Sequence, residues 1–223
     1  MKTILCYGDS NTWGFVPGSY DPQTQFMQRF TCQQRWTGLL QAQLGADFQI
    51  IEAGLNGRTT NIDYFLEIVA CRNGKTFLST CLYSHAPIDL VVLMLGVNDL
   101  KAEFKRSIAD IKQGMAELIQ IIQTSSYGPQ MSTAPAILLL GNPQMVKEVN
   151  DGQFKGAQAK LKLLNQSYKQ LANQYGIYFA DAGESIEFSP VDGYHLDLRG
   201  HELFAQWIYN HIVKILDLTH ESF

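Results

Sequence analysis

The chain is poor in cysteine, in excess basic charge and in long apolar runs, and each shortage narrows what it can be. Four cysteines, Cys6, Cys32, Cys71 and Cys81, are scattered over 223 residues, and no two form a C-x-x-C pair. Such spacing suits free thiols in a reducing compartment, with Cys6 inside an apolar run and destined for the core. Lysine and arginine number 17 against 21 aspartates and glutamates, a formal charge of −4. No basic patch stands out, so neither nucleic acid nor an acidic membrane surface is an expected partner. No stretch approaches the ~20 apolar residues of a membrane span. The apolar residues after Lys2 are interrupted by Gly8-Asp9, too soon for the core of a signal peptide. A cytoplasmic location is the simplest expectation. Also missing are G-x-G-x-x-G, G-x-x-x-x-G-K-[ST] and the G-x-S-x-G elbow, which disfavours dinucleotide, P-loop and α/β-hydrolase sites.

What is present describes a globular chain. Hydrophobic residues make up 46% and charged residues 17%, enough apolar surface for one substantial core. The length suits a single domain over residues 1–223. Strand-like runs occur at Thr3–Tyr7, Phe48–Ala53, Asp89–Leu95, Ala136–Leu140 and Ile177–Ala180. Most are continuously apolar, as expected where both sheet faces are covered. Between and after them, apolar residues recur at helical spacing: Trp36, Leu39, Leu40 and Leu44; Ile108 through Ile122; Leu161 through Tyr175; Leu203 through Ile212. Strands alternating with helices predict an α/β fold, a parallel sheet sandwiched between helices. Two stretches look irregular, Pro17 to Phe30 as a long loop and Asn61 to Pro87 as partly helical at best. Either can wall a pocket or meet another subunit.

Ligands of such a sheet bind at the carboxyl ends of its strands. Ser10, Gly57 and Asn98 each follow a strand-like run, so the fold gathers them at one edge. Ser10 is a candidate nucleophile, although Asp9-Ser10-Asn11-Thr12 can equally be a turn that caps a helix. A hydroxyl needs a base. His195 has a carboxylate three residues upstream, Asp192, in a segment of little helical character. One turn lets that carboxylate accept from Nδ1–H and leaves Nε2 as the base. A plain surface Asp–His pair has the same spacing. His201, beside Glu202, and the remaining histidines read as structural or surface residues. Asn98 offers a side-chain amide to an oxyanion, or caps a turn; Asp99 could be the cap instead. Gly57 offers an unobstructed backbone N–H in a glycine-rich turn. Arg58 can orient that loop or bind substrate, and Trp13 and Phe15 can line an acyl pocket or pack the first helix.

Taken together and in order, these blocks resemble the SGNH (GDSL-type) hydrolases, a superfamily of serine esterases. The matching blocks are Gly8-Asp9-Ser10-Asn11, Gly57 within Asn56-Gly57-Arg58-Thr59, Gly96-x-Asn98-Asp99 and Asp192-x-x-His195. Longer runs are most similar to the bacterial arylesterase/acyltransferase group: Gly8-Asp9-Ser10-Asn11-Thr12-Trp13-Gly14, Arg35-Trp36-Thr37-Gly38, Gly54 through Asn61, and Met94 through Asp99 with Lys101. The resemblance implies a flavodoxin-like, three-layer α/β/α sandwich around five parallel strands. It implies a triad of Ser10, His195 and Asp192, and an oxyanion hole formed by the Ser10 N–H, the Gly57 N–H and the Asn98 amide. It implies no metal and no organic cofactor, and a homo-oligomer.

Asn11 stands where the GDSL name has leucine, and Gly141-Asn142-Pro143 departs from the arylesterase pattern. The expected activity is hydrolysis, or acyl transfer, of small short-chain carboxylic esters. Alternatives are a carbohydrate O-acetylesterase, a lysophospholipase- or thioesterase-like acyl hydrolase and, from another class, a flavodoxin-like binding module with its phosphate at the Gly8–Thr12 turn. Flavin absorbance would mark the last of these.

Overall fold

A computed structural model describes residues 1–64, 71–146 and 152–218. Five strands form one parallel sheet: β1 (Lys2–Gly8), β2 (Phe48–Gly54), β3 (Leu90–Met94), β4 (Ala136–Gly141) and β5 (Tyr178–Asp181). Their order is β2-β1-β3-β4-β5. The central strands are sealed on both faces, and every residue of β3 is buried. Continuous rather than alternating hydrophobicity follows from that double cover. Edge strand β2 is only half-buried along its length.

The helices are α1 (Ser10–Trp13), α2 (Trp36–Leu44), α3 (Gly74–His85), α4 (Ile108–Gln123), α5 (Ala157–Tyr175) and α6 (Leu198–Leu218). Helix α2 packs on α6, whereas α3 packs on α4 and α4 on α5, giving a helical layer on each side of the sheet. The three-layer sandwich expected from the sequence is thus the observed fold. The apolar stripe of α4 enters the core through Ile111, Met115, Leu118, Ile119 and Ile122. The entry to α4 is a capping box: Ser107 Oγ accepts from Asp110 N–H at 3.2 Å, and the Asp110 carboxylate accepts from Ser107 N–H at 2.8 Å.

Helix α3 is longer than its sequence suggested. Its buried side is Leu78, Cys81 and Leu82, at spacings of three and one, while Phe77 and Tyr83 point outward. Those two exposed aromatics blur the amphipathic stripe. Its start was legible in Asn73, whose side chain accepts from Lys75 N–H at 2.9 Å. Residues 65–70 of the same irregular stretch lie outside the described residues. The Pro17 to Phe30 stretch is a loop folded back on itself by isolated bridges, Phe15 to Arg29 and Asp21 to Phe26. Arg29 and Arg35 both pair with Glu52, which ties this loop and the start of α2 to strand β2.

The short helix α1 lies hard against the end of β2. A Cβ on Gly54 would come within 2.2 Å of the Trp13 backbone nitrogen. Gly54→Ala should therefore push the Ser10 turn off the sheet and cost about 1–3 kcal/mol, as overpacking does. A fall in Tm of several degrees is the expected result of thermal unfolding; an unchanged Tm would show that α1 can move freely.

Candidate active site

Strand β1 ends at Gly8, and the chain turns at once into α1. Asp9 is the N-cap: its Oδ1 accepts from Asn11 N–H at 2.9 Å. The capping expected of this turn is real, but it falls to Asp9, leaving the Ser10 hydroxyl for another partner. Burial pushes the Asp9 carboxyl up to about 6, against the opposing pull of the Asn11 N–H and the charge of His195.

That other partner is His195. Its Nε2 lies 2.9 Å from Ser10 Oγ, and its Nδ1 lies 2.7 Å from Asp192 Oδ2. Residues 185 positions apart in sequence are thus in direct contact. The Asp192 Oδ1 accepts from the backbone N–H groups of Tyr194 at 3.2 Å and His195 at 3.1 Å. Gly193 between them has φ +90°, the left-handed conformation this tight turn needs. Burial works against ionisation of Asp192, yet the His195 hydrogen bond and charge and the two N–H groups outweigh it and hold the carboxyl below its ordinary value. Phe15 stacks on the imidazole at 4.3 Å between ring centroids, and Tyr194 sits on it at 4.7 Å. His195 and Ser10 are both buried.

The loops after β2 and β3 come to the same place. Gly57 adopts φ +75°. Asn98 begins a 3₁₀ turn, Asn98–Leu100, and its Nδ2 donates to Arg58 O at 3.1 Å and approaches Asp9 Oδ2 at 3.4 Å. Asp99 turns the other way and is fully buried. Its carboxylate accepts from Thr60 N–H at 3.0 Å, from the Thr60 hydroxyl at 2.6 Å and from the Arg106 guanidinium. The Asp99 pairing stitches the Gly57 loop to the Asn98 turn. Nothing in the local sequence pattern marked Arg106 as its counter-charge.

Arg58 lies beneath the site. Its guanidinium donates to the carbonyls of Gly8, at 2.7 Å, and Ala53, and it rests over the Tyr7 ring at 4.2 Å. Only 3% of Arg58 is exposed. Trp13 is half-buried, with Arg29 over its ring at 4.9 Å. The amide of Asn11 was another contact hidden in the sequence. It donates to Tyr194 O at 3.1 Å and accepts from Leu196 N–H at 2.9 Å. The one visible signal was the exchange of leucine for asparagine at that position.

A cavity of about 700 Å³ lies between α5 and the end of β5, lined by Gln144, Lys162, Lys169, Asp181 and Glu184 among others. It contains none of Ser10, His195 or Asn98, so hydrogen bonding, rather than volume, locates the candidate chemistry. Among the described residues, no group of three or more His, Cys, Asp or Glu side chains converges as a metal site.

With this geometry in view, comparison with known proteins is informative. The sequence model of the GDSL-like lipase/acylhydrolase family matches residues 6–203. The chain belongs to this family. Membership makes it a carboxylic ester hydrolase of the SGNH type. The aryl esterase of M. smegmatis is 37% identical, with a TM-score of 0.86 over 96% of this chain and 99% of that one. A carbohydrate acetylesterase from Sinorhizobium meliloti is 34% identical, with a TM-score of 0.85 over 96% of this chain and 100% of that one. A lipase/acylhydrolase from Enterococcus faecalis, at 19% identity and TM-score 0.67 over 95% of each chain, shares the fold. No curated protein matches significantly.

His201, the nearest histidine to the site in sequence, does a different job. Its Nδ1 accepts from Trp36 N–H at 3.2 Å, and burial pushes its pKa down to about 3. Below pH 6.5 the unfolded chain takes up a proton at His201, and the folded chain does not until about 3. Stability should therefore fall as pH drops through that window. His201→Gln should flatten the fall, read as Tm against pH from 7 to 4. A variant whose acid sensitivity equals that of the wild type would contradict the assignment.

Proposed function

We propose that the protein is a serine esterase that works through an acyl-enzyme on Ser10. The observation that carries this reading is the unbroken relay from Ser10 Oγ to His195 Nε2 at 2.9 Å and from His195 Nδ1 to Asp192 Oδ2 at 2.7 Å. As Ser10 Oγ attacks an ester carbonyl, His195 takes its proton. Asp192 holds the ring in the tautomer with Nδ1–H and stabilises the imidazolium. His195 then protonates the departing alkoxide. Water attacks the acyl group in a second round, with His195 again the base. An alcohol in place of water gives acyl transfer.

The developing oxyanion would be met by the N–H groups of Ser10 and Gly57 and by the Asn98 amide. One Asn98 N–H is committed to Arg58 O, while the other has only a 3.4 Å approach to Asp9. That second N–H is the one available for substrate. For Arg58, burial and bonds to two strand-end carbonyls favour support of the loop over contact with substrate. Phe15, stacked on His195, and Trp13 beside it would bound a confined acyl pocket that favours short chains.

The substrate class is small esters of short acids. Relatives of comparable identity include an aryl esterase and a carbohydrate acetylesterase, so acetylated sugars are the second candidate. A reducing, cytoplasmic setting suits four thiols that are not joined as disulfides. Self-association is proposed at the Pro17 to Phe30 loop, where Tyr20 and Phe26 are more than half exposed and Gly18 abuts exposed Val191.

Hydrolysis of p-nitrophenyl acetate and octanoate tests the reading. Wild type should favour acetate, and turnover in both Ser10→Ala and His195→Ala should collapse to a small residual rate. Asn98→Ala should lower kcat by about 10²–10³-fold. Full activity in Ser10→Ala would end this assignment.

A further inference from the structure

The residue after the candidate nucleophile is bonded to both sides of the candidate base. Asn11 is 3% exposed, and both the nitrogen and the oxygen of its amide are hydrogen-bonded. Its Nδ2 donates to the carbonyl of Tyr194 at 3.1 Å, and its Oδ1 accepts from the N–H of Leu196 at 2.9 Å. Tyr194 and Leu196 flank His195. The amide therefore grips the peptide units before and after the histidine, like a strand partner made from one side chain. Its own backbone is held in turn: Asn11 N–H donates to Asp9 Oδ1 at 2.9 Å, and Asn11 O accepts from Trp36 Nε1 at 3.1 Å.

We infer that Asn11 is a positioning residue that sets the distance from Ser10 to His195. The inference rests on the serine esterase reading above. The histidine segment is a loop between β5 and α6, and most of its hydrogen bonds are internal. Ser189 N–H donates to His195 O at 2.7 Å, Gly193 N–H to Ser189 O at 2.9 Å, and the Asp192 contacts lie within the same turn. Such bonds preserve the loop's shape without fixing where it sits. Farther from the histidine the loop is tied to the end of β4, where Gln144 N–H donates to Ile186 O at 2.8 Å and Phe188 N–H donates to Gln144 O at 2.9 Å; at the histidine itself the Asn11 amide supplies the link to the turn that carries Ser10. Leucine at this position, as in the GDSL name, has no polar atoms and would leave Tyr194 O and Leu196 N–H without this partner. The nucleophile and the register of its base are thus specified by adjacent residues, Ser10 and Asn11.

A double-mutant cycle decides the matter. The protein is assayed as wild type, Asn11→Leu, His195→Ala and the double variant, with two readouts. One is kcat and KM on p-nitrophenyl acetate. The other is the rate at which a fluorophosphonate labels Ser10, which does not depend on the natural substrate. Displacement of a catalytic group by about 1 Å costs on the order of 10²-fold. Asn11→Leu should therefore lower kcat and the labelling rate by about 10–10²-fold in the His195 background, with KM nearly constant. In the His195→Ala background it should change the residual rates by less than about twofold. A merely structural role predicts an equal loss in both backgrounds, and that result overturns the inference, as does full activity in Asn11→Leu. Asn11→Asp provides the same cycle should the leucine variant fail to fold: it keeps the acceptor for Leu196 N–H and loses the donor to Tyr194 O, so an intermediate loss is expected. Wild-type rates in His195→Ala would instead bring down the esterase reading itself, a result distinct from either outcome for Asn11.

Discussion

Strand order is the constraint from which the site follows. With β1 between β2 and β3, the chain leaves β1 toward one side of the sheet and returns to the other side for β3. At that reversal the loops beyond adjacent strand ends diverge and leave a crevice, the place where open α/β sheets bind ligands. The three loops around it carry Ser10, Gly57 and Asn98. Parallel pairing aligns their starting points: Gly8 is in register with Gly54 on one side and with Met94 on the other. A backbone arrangement thus delivers the candidate nucleophile and two candidate oxyanion donors to one place. It does not deliver the candidate base, which arrives from the far end of the chain on a loop before α6.

The cost of this arrangement is buried polarity at the strand ends. Asp9, Arg58, Asn98, Asp99 and His195 are all buried within a small region. Each needs partners, because an unpaired polar group in such a place costs about 1–3 kcal/mol or more. The structure answers with shared bonds. Arg58 covers the carbonyls of Gly8 and Ala53, Asn98 covers Arg58 O, and Asp99 gathers Thr60 and Arg106. The polar groups that look incidental to chemistry therefore fix the loops that present the chemical ones. Such a network is rigid because no member can move without stranding another.

Much of this was legible in the sequence. Strands such as Leu90–Met94 advertise themselves as unbroken apolar runs, since a strand buried on both faces has no polar alternation to maintain. The candidate triad was legible because Asp192 and His195 lie three residues apart with a glycine between, spacing that a local turn can close. Helix α3 was harder to see because Phe77 and Tyr83 put aromatic residues on its exposed side. Arg106 as the partner of Asp99 could not be seen at all, and Asn11 as the link to Tyr194 and Leu196 showed only as an asparagine in place of leucine, with no sign of what it meets. Both contacts depend on how separate loops meet, and no residue near them in sequence records the partner. Arg58 illustrates the ambiguity from the other direction: an arginine beside a site glycine is compatible with substrate binding until its burial beneath the strand ends is known.

The central claim is that Ser10 carries the acyl group, and the most direct measurement is to catch it there. The protein would be mixed with excess p-nitrophenyl acetate, quenched in acid within the first turnovers, digested and mapped by mass spectrometry. The account predicts one added acetyl group on the peptide containing Ser10, absent from Ser10→Ala and lost on incubation with a nucleophilic alcohol at neutral pH. Turnover without any acetylated peptide, or with the acetyl group on another residue that survives replacement of Ser10, would contradict it.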